Sequence, residues 1–465
     1  MMKKKAWERY KGITIFIGMM IAISACKVTK QYKQPADAIN NKLYRDSSNT
    51  DTTNIANIPW KQMFSDTLLQ ALIQQGIDNN LDLKVAIARI KTAAANFKQS
   101  KLAFFPYLDA NVTAGFQRVP STEFGFPEAY LLQLTTSWEA DLWGKLSSAK
   151  RAALASLLQS DAYKRAVQTQ LIADIATNYY LLMSYDEQLQ ITQRTLENRI
   201  KEVETMKVLK ESNVVTGAAV VQSEANRYSV EITIPDLKQN IRETENMLSV
   251  LLGKQPDTVF RSTLKQQAVT TELVTGVPAQ LLANRPDVQQ AEHQLRNSFE
   301  LVNVARTYFY PAFTITGAAG YSATALAQLL NPVSFFANIT GGLLQPVFEQ
   351  GINKQRLAIA QANQEEYLST FKKTILTAGQ EVSDALYSYQ KALEKQSLRE
   401  QQIAFLQKSV DYTKELLRYS SATNYTDVLT SEQGLLAAQL SSISDKLQQL
   451  TAMVNLYKSL GGGWK

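Results

Sequence analysis

No glycine or proline interrupts the chain from Lys145 to Thr216, a run of 72 residues. As one helix that run would extend ~108 Å at 1.5 Å per residue, far beyond an ordinary globular helix. Within it Ile175, Leu182, Leu189, Leu196 and Val203 recur at every seventh position. Val382, Tyr389, Ile403, Val410 and Leu417 keep the same register later, with Gln396 breaking it. A seven-residue repeat keeps one apolar seam against a partner helix. The seam reads as an extended coiled coil; a core-facing stripe in a helical bundle is the alternative.

The pattern occurs twice because the chain repeats itself. Asp82 and Asp287, Phe104 and Phe309, Pro106 and Pro311, and Gly115 and Gly320 are each 205 residues apart. Ser223-Glu224 pairs with Ser431-Glu432, and Leu252-Gly253 with Leu460-Gly461, now 208 apart. A constant offset with one small insertion, placed at Glu349-Gln350, marks a duplication. The halves fall at about 62–253 and 278–461, with a Gln/Thr-rich linker at 254–277 and a tail at 462–465. The period is far too long for a solenoid unit. Each half reads as helix, strand pair, very long helix, turn, helix.

The strand candidates are 105–119 and 129–143 in the first half, and 310–323 and 335–348 in the second. They are rich in aromatic residues, Thr and Gly, bounded by Pro or Gly, and long enough for tilted membrane-spanning strands. A soluble hairpin packed on helices is the other reading. Four strands cannot close a membrane barrel, which needs about eight, and an open edge in lipid leaves backbone groups unsatisfied. If the strands span, further copies must close the sheet. Two copies would supply eight strands and three would supply twelve, and counting alone does not choose.

Residues 1–25 have the layout of an export signal: Lys3, Lys4, Lys5, Arg9 and Lys11, then an apolar run from Ile13 to Ile23. The run ends Ile23-Ser24-Ala25-Cys26, and Cys26 is the only cysteine. That string resembles a lipobox, which implies a diacylglycerol on the Cys26 thiol and an acyl chain on its freed amine. Residues 26–60 would then be an acylated arm. Formal charge is +7, but residues 1–25 carry five basic groups and one acid, so the mature chain is close to balance at +3. That gives little reason to propose nucleic acid. One histidine, His293, cannot build a histidine triad or a multi-histidine metal site within one chain. No phosphate loop is present. The inventory argues against an enzyme and against any cofactor beyond the lipid at Cys26.

These motifs resemble the outer-membrane efflux protein family, the TolC-like channels, and most closely its lipid-anchored branch serving resistance-nodulation-division pumps. The marks are Ile58-Pro59-Trp60-Lys61, Phe105-Pro106, and Ser137-Trp138-Glu139-Ala140-Asp141-Leu142-Trp143-Gly144-Lys145. Ile234-Pro235-Asp236-Leu237, Asn284-Arg285-Pro286-Asp287-Val288, Gln345-Pro346-Val347-Phe348 and the ending Leu460-Gly461-Gly462-Gly463-Trp464 follow in order. The resemblance implies a mainly α chain with a transmembrane β part. It implies a homotrimer with a 12-stranded β-barrel in the outer membrane, four strands per chain, and a long α-barrel in the periplasm. It also implies a periplasmic adaptor and an inner-membrane pump as partners, outer-membrane lipid around the barrel, and passive conduction of small molecules such as drugs. Rivals in the same family are ducts for protein secretion or heavy-metal export. A rival from another class is a periplasmic coiled-coil adaptor or structural lipoprotein. Adaptors carry one hairpin, whereas this chain has two.

By the same resemblance the periplasmic tip lies where the long helices turn back. Asn213, Thr216 and Gly217 form one docking turn; Ser421, Ala422 and Thr423 form the other. Asp427, Tyr425 and Asn424 are the gate residues. Three-fold symmetry would turn Asp427 into a ring of three acids. Thr430 follows where relatives can carry a second acid, which thins the ring. An N-cap of the returning helix is the competing role for Asp427. Pro235 should kink or restart its helix, and Arg285-Pro286-Asp287 reads as a capped helix start.

Overall fold

The structure, a computed structural model, describes residues 28–35, 43, 55–116, 128–267, 280–419 and 425–465. The signal segment, Cys26 and the turn residues Ser421, Ala422, Thr423 and Asn424 lie outside the described residues. Helices α1 (Trp60–Met63), α2 (Thr67–Asn79) and α3 (Leu81–Leu102) lead into strands β1 (Tyr107–Phe116) and β2 (Glu128–Ala140). Then come α4 (Lys145–Glu211), α5 (Gly217–Glu231) and α6 (Thr233–Leu251). The second half repeats the order with α7 (Gln280–Asn284), α8 (Pro286–Thr307), β3 (Ala312–Ala323), β4 (Phe335–Leu344), α9 (Ile352–Tyr419) and α10 (Tyr425–Ser459). The Gly- and Pro-free run is one helix of 67 residues, and α9 is one of 68. Among the described residues no helix is long and apolar enough to cross a membrane.

The chain forms two compact units. The described parts of the first lie within Met1–Pro35, Arg89–Ser160 and Gln290–Phe371; the remainder makes the second. The first unit holds one antiparallel sheet in the order β1-β2-β3-β4. Alternate residues of a strand point to opposite faces, and the pairing register sorts them cleanly. Val112, Leu132, Tyr321 and Phe335 share one cross-strand row, and Leu108 and Ile339 stand on the same face two rows away. The other face carries Asp109, Thr135 and Asn338 in one row, and Ser137, Thr316 and Thr340 in another. Leu108, Val112, Phe335, Ile339 and Leu343 are exposed. One face is thus largely apolar and bare; the other is mostly polar, with Leu131, Phe336 and Leu344 as its large apolar exceptions. Both edge strands, β1 and β4, have one free side within the chain.

The second strand stops at Ala140, short of the expected 143, because Asp141 turns to cap α4. Its Oδ1 accepts from Leu146 N at 2.8 Å and its Oδ2 from Ser147 N at 2.9 Å. Gly144 takes φ +78 at this corner. Two tryptophans tie the corner down: Trp138 Nε1 donates to Phe104 O at 2.9 Å, and Trp143 Nε1 to Pro311 O at 2.7 Å. Phe348, the position matching Trp143 in the second half, is exposed instead.

In the second unit the seven-residue stripe faces inward, with Ile175, Leu182 and Val203 buried, while Gln396 is exposed where the register breaks. Asp66 organises the packing beside it. Its Oδ1 caps α2 through Leu68 N at 2.9 Å, and its Oδ2 accepts from Tyr179 at 2.9 Å, from Gln267 at 2.8 Å and from the Ser262 hydroxyl. One carboxylate therefore joins α2, α4 and the middle of the linker. The helix break falls at Ile232, and Pro235 sits in the first turn of α6, where a missing N–H leaves no helical bond unmade. Pro286 opens α8 in the same way.

Candidate gate at the turns of the long helices

Helix α4 ends because Asn213 enters the left-handed region at φ 60. Val214 N then bonds back to Leu209 O at 2.8 Å and Asn213 N to Lys210 O at 2.9 Å, satisfying carbonyls that a helix end leaves open. Thr216 is the extended N-cap residue, and Gly217 begins α5. Val215, Ala219 and Val220 at this turn, and Leu417 of α9, pack against Met206 of α4 and Tyr425 and Leu429 of α10. Four helices therefore meet in one small apolar cluster at the hairpin turns.

Helix α10 starts at Tyr425, so Asp427 lies within its first turn and not at the N-cap. An acid there still faces the positive end of the helix dipole. Tyr425 is buried at 7 % exposure. Burial first, and then the Glu202 carboxyl beside it, push the Tyr425 phenol above its ordinary range. The structure thus brings Tyr425 and the Val214–Gly217 turn onto a common core.

Behind that core lies an ionic cluster that no motif announced. Arg199 of α4, with its side chain 4 % exposed, binds Glu202 at 2.8 Å and also Glu432 of α10. Lys414 of α9 reaches Glu432 at 2.5 Å. Two cations thus face two carboxylates from three helices. Burial and the neighbouring Glu432 push the Glu202 carboxyl upward, against the pull of Arg199. Glu432 belongs to one of the duplicated Ser-Glu pairs, but the repeat does not point to its partner Arg199. Glu224, matching Glu432, takes Lys207 at 3.4 Å and Arg227 at 3.8 Å.

The arm that follows Cys26 is held in the first unit. Lys30 N donates to Asn303 Oδ1 at 3.0 Å, and Asn303 Nδ2 returns to Lys30 O at 2.9 Å. This two-point amide clamp is completed by Tyr32 standing edge-on to Phe299, ring centroids 5.6 Å apart.

Two very long helices, a two-faced sheet with free edges and converging hairpin turns define a channel-forming outer-membrane protein. The chain belongs to the outer membrane efflux protein family, whose model matches residues 72–254 and 277–462. It is 30% identical to the toluene efflux pump outer membrane protein TtgC of Pseudomonas putida, over 97% of this chain and 95% of that one. It is 25% identical to the cation efflux system protein CusC of Escherichia coli, over 96% and 97%. The solved outer-membrane channel OprN superposes with a TM-score of 0.86 at 26% identity, covering 94% of this chain and 100% of OprN. The protein is an outer-membrane efflux channel; its family consists of channels, not enzymes.

Proposed function

We propose that three copies of this chain close into the exit duct of a tripartite efflux system. The observation that carries the reading is the sheet: one largely apolar exposed face, one mostly polar face and two unpaired edges. In lipid, unpaired edges are untenable, so β1 of one copy pairs with β4 of the next. Three copies give a barrel of twelve strands, above the minimum of about eight. The apolar face meets lipid and the polar face lines the duct.

The lipid on Cys26 holds the arm against the inner leaflet while the copies assemble. The periplasmic entrance is gated by Asp427, Tyr425 and Asn424, with the Arg199–Glu432 cluster bracing the helices behind it. A periplasmic adaptor docks on the turns at Asn213, Thr216 and Gly217 and at Ser421, Ala422 and Thr423, and an inner-membrane pump of resistance-nodulation-division type supplies the energy. The cargo is small organic molecules such as drugs; the toluene in the name of the Pseudomonas relative supports that class.

The test is a V112C/I339C double variant, treated with a short bismaleimide in isolated outer membranes. Val112 of β1 and Ile339 of β4 share the lipid face at opposite edges. Three-chain products are expected, and either single variant should give none. Single-chain protein throughout would overturn the reading.

A further inference from the structure

The arm and α8 enclose a cavity of about 410 Å³ that conduction does not need. Lys30 and Tyr32 of the arm, Arg151 of α4, and Arg296 and Glu300 of α8 form its walls. Three cations share it with one carboxylate, and that carboxylate is committed. Glu300, with its side chain 2 % exposed, takes Arg151 through both oxygens at 2.7 and 2.9 Å, and Asn303 at 3.1 Å. Lys30 and Arg296 have no carboxylate at salt-bridge distance among the described residues. Glu292, one turn before Arg296, is a second acid whose charge reaches Tyr32 and Arg296. The Arg296 guanidinium lies 5.9 Å from the Tyr32 ring centre. The Tyr32 hydroxyl is shut off from water without a hydrogen-bond partner. Burial pushes that phenol up to about 12, so it keeps its proton as a donor.

We propose that this cavity binds the phosphodiester headgroup of an anionic phospholipid. Guanidinium groups suit phosphate because their planar donors match its oxygens. A buried hydroxyl lacking an acceptor adds a neutral donor. Two placements favour a lipid over free phosphate. Arg151 lies six residues into α4, ~9 Å of helix at 1.5 Å per residue, from the corner where the sheet ends. Lys30 follows Cys26 by four residues, a reach of ~14 Å at most. A diacylglycerol on Cys26 would carry no phosphate, so the cations call for a second, phosphate-bearing lipid. The inference rests on the outer-membrane location and not on the trimer, the gate or the cargo.

The full chain, extracted in a neutral detergent, is titrated with dioleoylphosphatidylglycerol and followed by native mass spectrometry. The wild type should retain one such lipid per chain, and K30Q/R296Q should need about tenfold more lipid for the same retention, as expected for losing charge-assisted bonds. That variant leaves the Arg151–Glu300 pair in place. Should it fold poorly, Lys30→Gln alone, on an exposed side chain, should show a smaller loss in the same direction. Equal retention by wild type and both variants overturns the proposal. Displacement of the lipid by an equal concentration of inorganic phosphate overturns it too, by assigning the cavity to free phosphate. Conductance is measured separately, so failure of the duct and failure of this site are distinguishable.

Discussion

The Asn80 side-chain amide donates to the Leu251 carbonyl at 2.9 Å. Arg285, 205 residues on, donates to the Ser459 carbonyl, 208 residues on, at the same 2.9 Å. Two halves of a duplicated chain thus keep one clasp between the helix that opens each half and the helix that ends it. Different side chains now make it. Asn80 also caps α3 through Leu83 N. Arg285 has added ion pairs with Asp287 at 2.6 Å and Glu381 at 2.7 Å.

The second clasp should therefore matter more. Arg285→Ala loses the carbonyl bond and unpairs two half-exposed carboxylates, at a cost of about 2–3 kcal/mol. Asn80→Ala loses one bond and one cap, at about 1–2 kcal/mol. Denaturant unfolding of the detergent-extracted protein compares them; equal losses would contradict the ranking.

A paired glycine site makes a second check. Gly253 (φ +67) and Gly461 (φ +89) both close helices in the left-handed region. A Cβ at Gly253 would sit 2.5 Å from Asn79 O, and one at Gly461 2.3 Å from Asn284 O, again the equivalent atom. Gly253→Ala and Gly461→Ala should each destabilise by about 2 kcal/mol or more, combining backbone strain with a backbone clash. An unchanged melting temperature for either would show that the clasp is not rigid.

Asp66 predicts a pH dependence with a defined sign. Burial would raise its carboxyl, but hydrogen bonds from Ser262, Tyr179, Leu68 N and Gln267 outweigh that and hold it below the ordinary 3.8. A lowered carboxyl stabilises the fold above the unfolded value and loses that contribution as pH falls through the folded one. Asp66→Asn should thus lower the melting temperature at pH 7, with the gap to wild type closing in strong acid. A gap independent of pH would assign the effect to packing.

Much of this was legible in the sequence. The Gly- and Pro-free run became α4, and the alternation around Leu132, Leu134, Thr136 and Trp138 became one face of β2. Such signals are local, set by periodicity along one segment. The Arg199–Glu432 pair was not legible, because its partners are 233 positions apart and salt-bridge chemistry leaves no periodic trace. The competing N-cap role for Asp427 failed as well. Tyr425, packed against Met206 of another helix, already lies in the helix, which leaves Asp427 inside its first turn.

The braced tip gives a prediction for gating. Arg199→Ala leaves Glu202 and Glu432 facing each other with only Lys414 nearby, a loss of about 2–4 kcal/mol by the cost of unpairing buried charge. Reconstituted channels of this variant should open more often than wild type. Asp427→Ala should weaken cation preference and block by multivalent cations. Unchanged reversal potential and block would remove Asp427 from the gate.

If three copies form the duct, together they enclose a conducting path. Single-channel recording in planar bilayers, on protein whose mass in detergent has been measured, tests it most directly. Three-chain particles should give discrete, mostly closed conductance steps, with longer openings for Arg199→Ala. Single-chain particles that insert without any conductance, in wild type and variant alike, would contradict it.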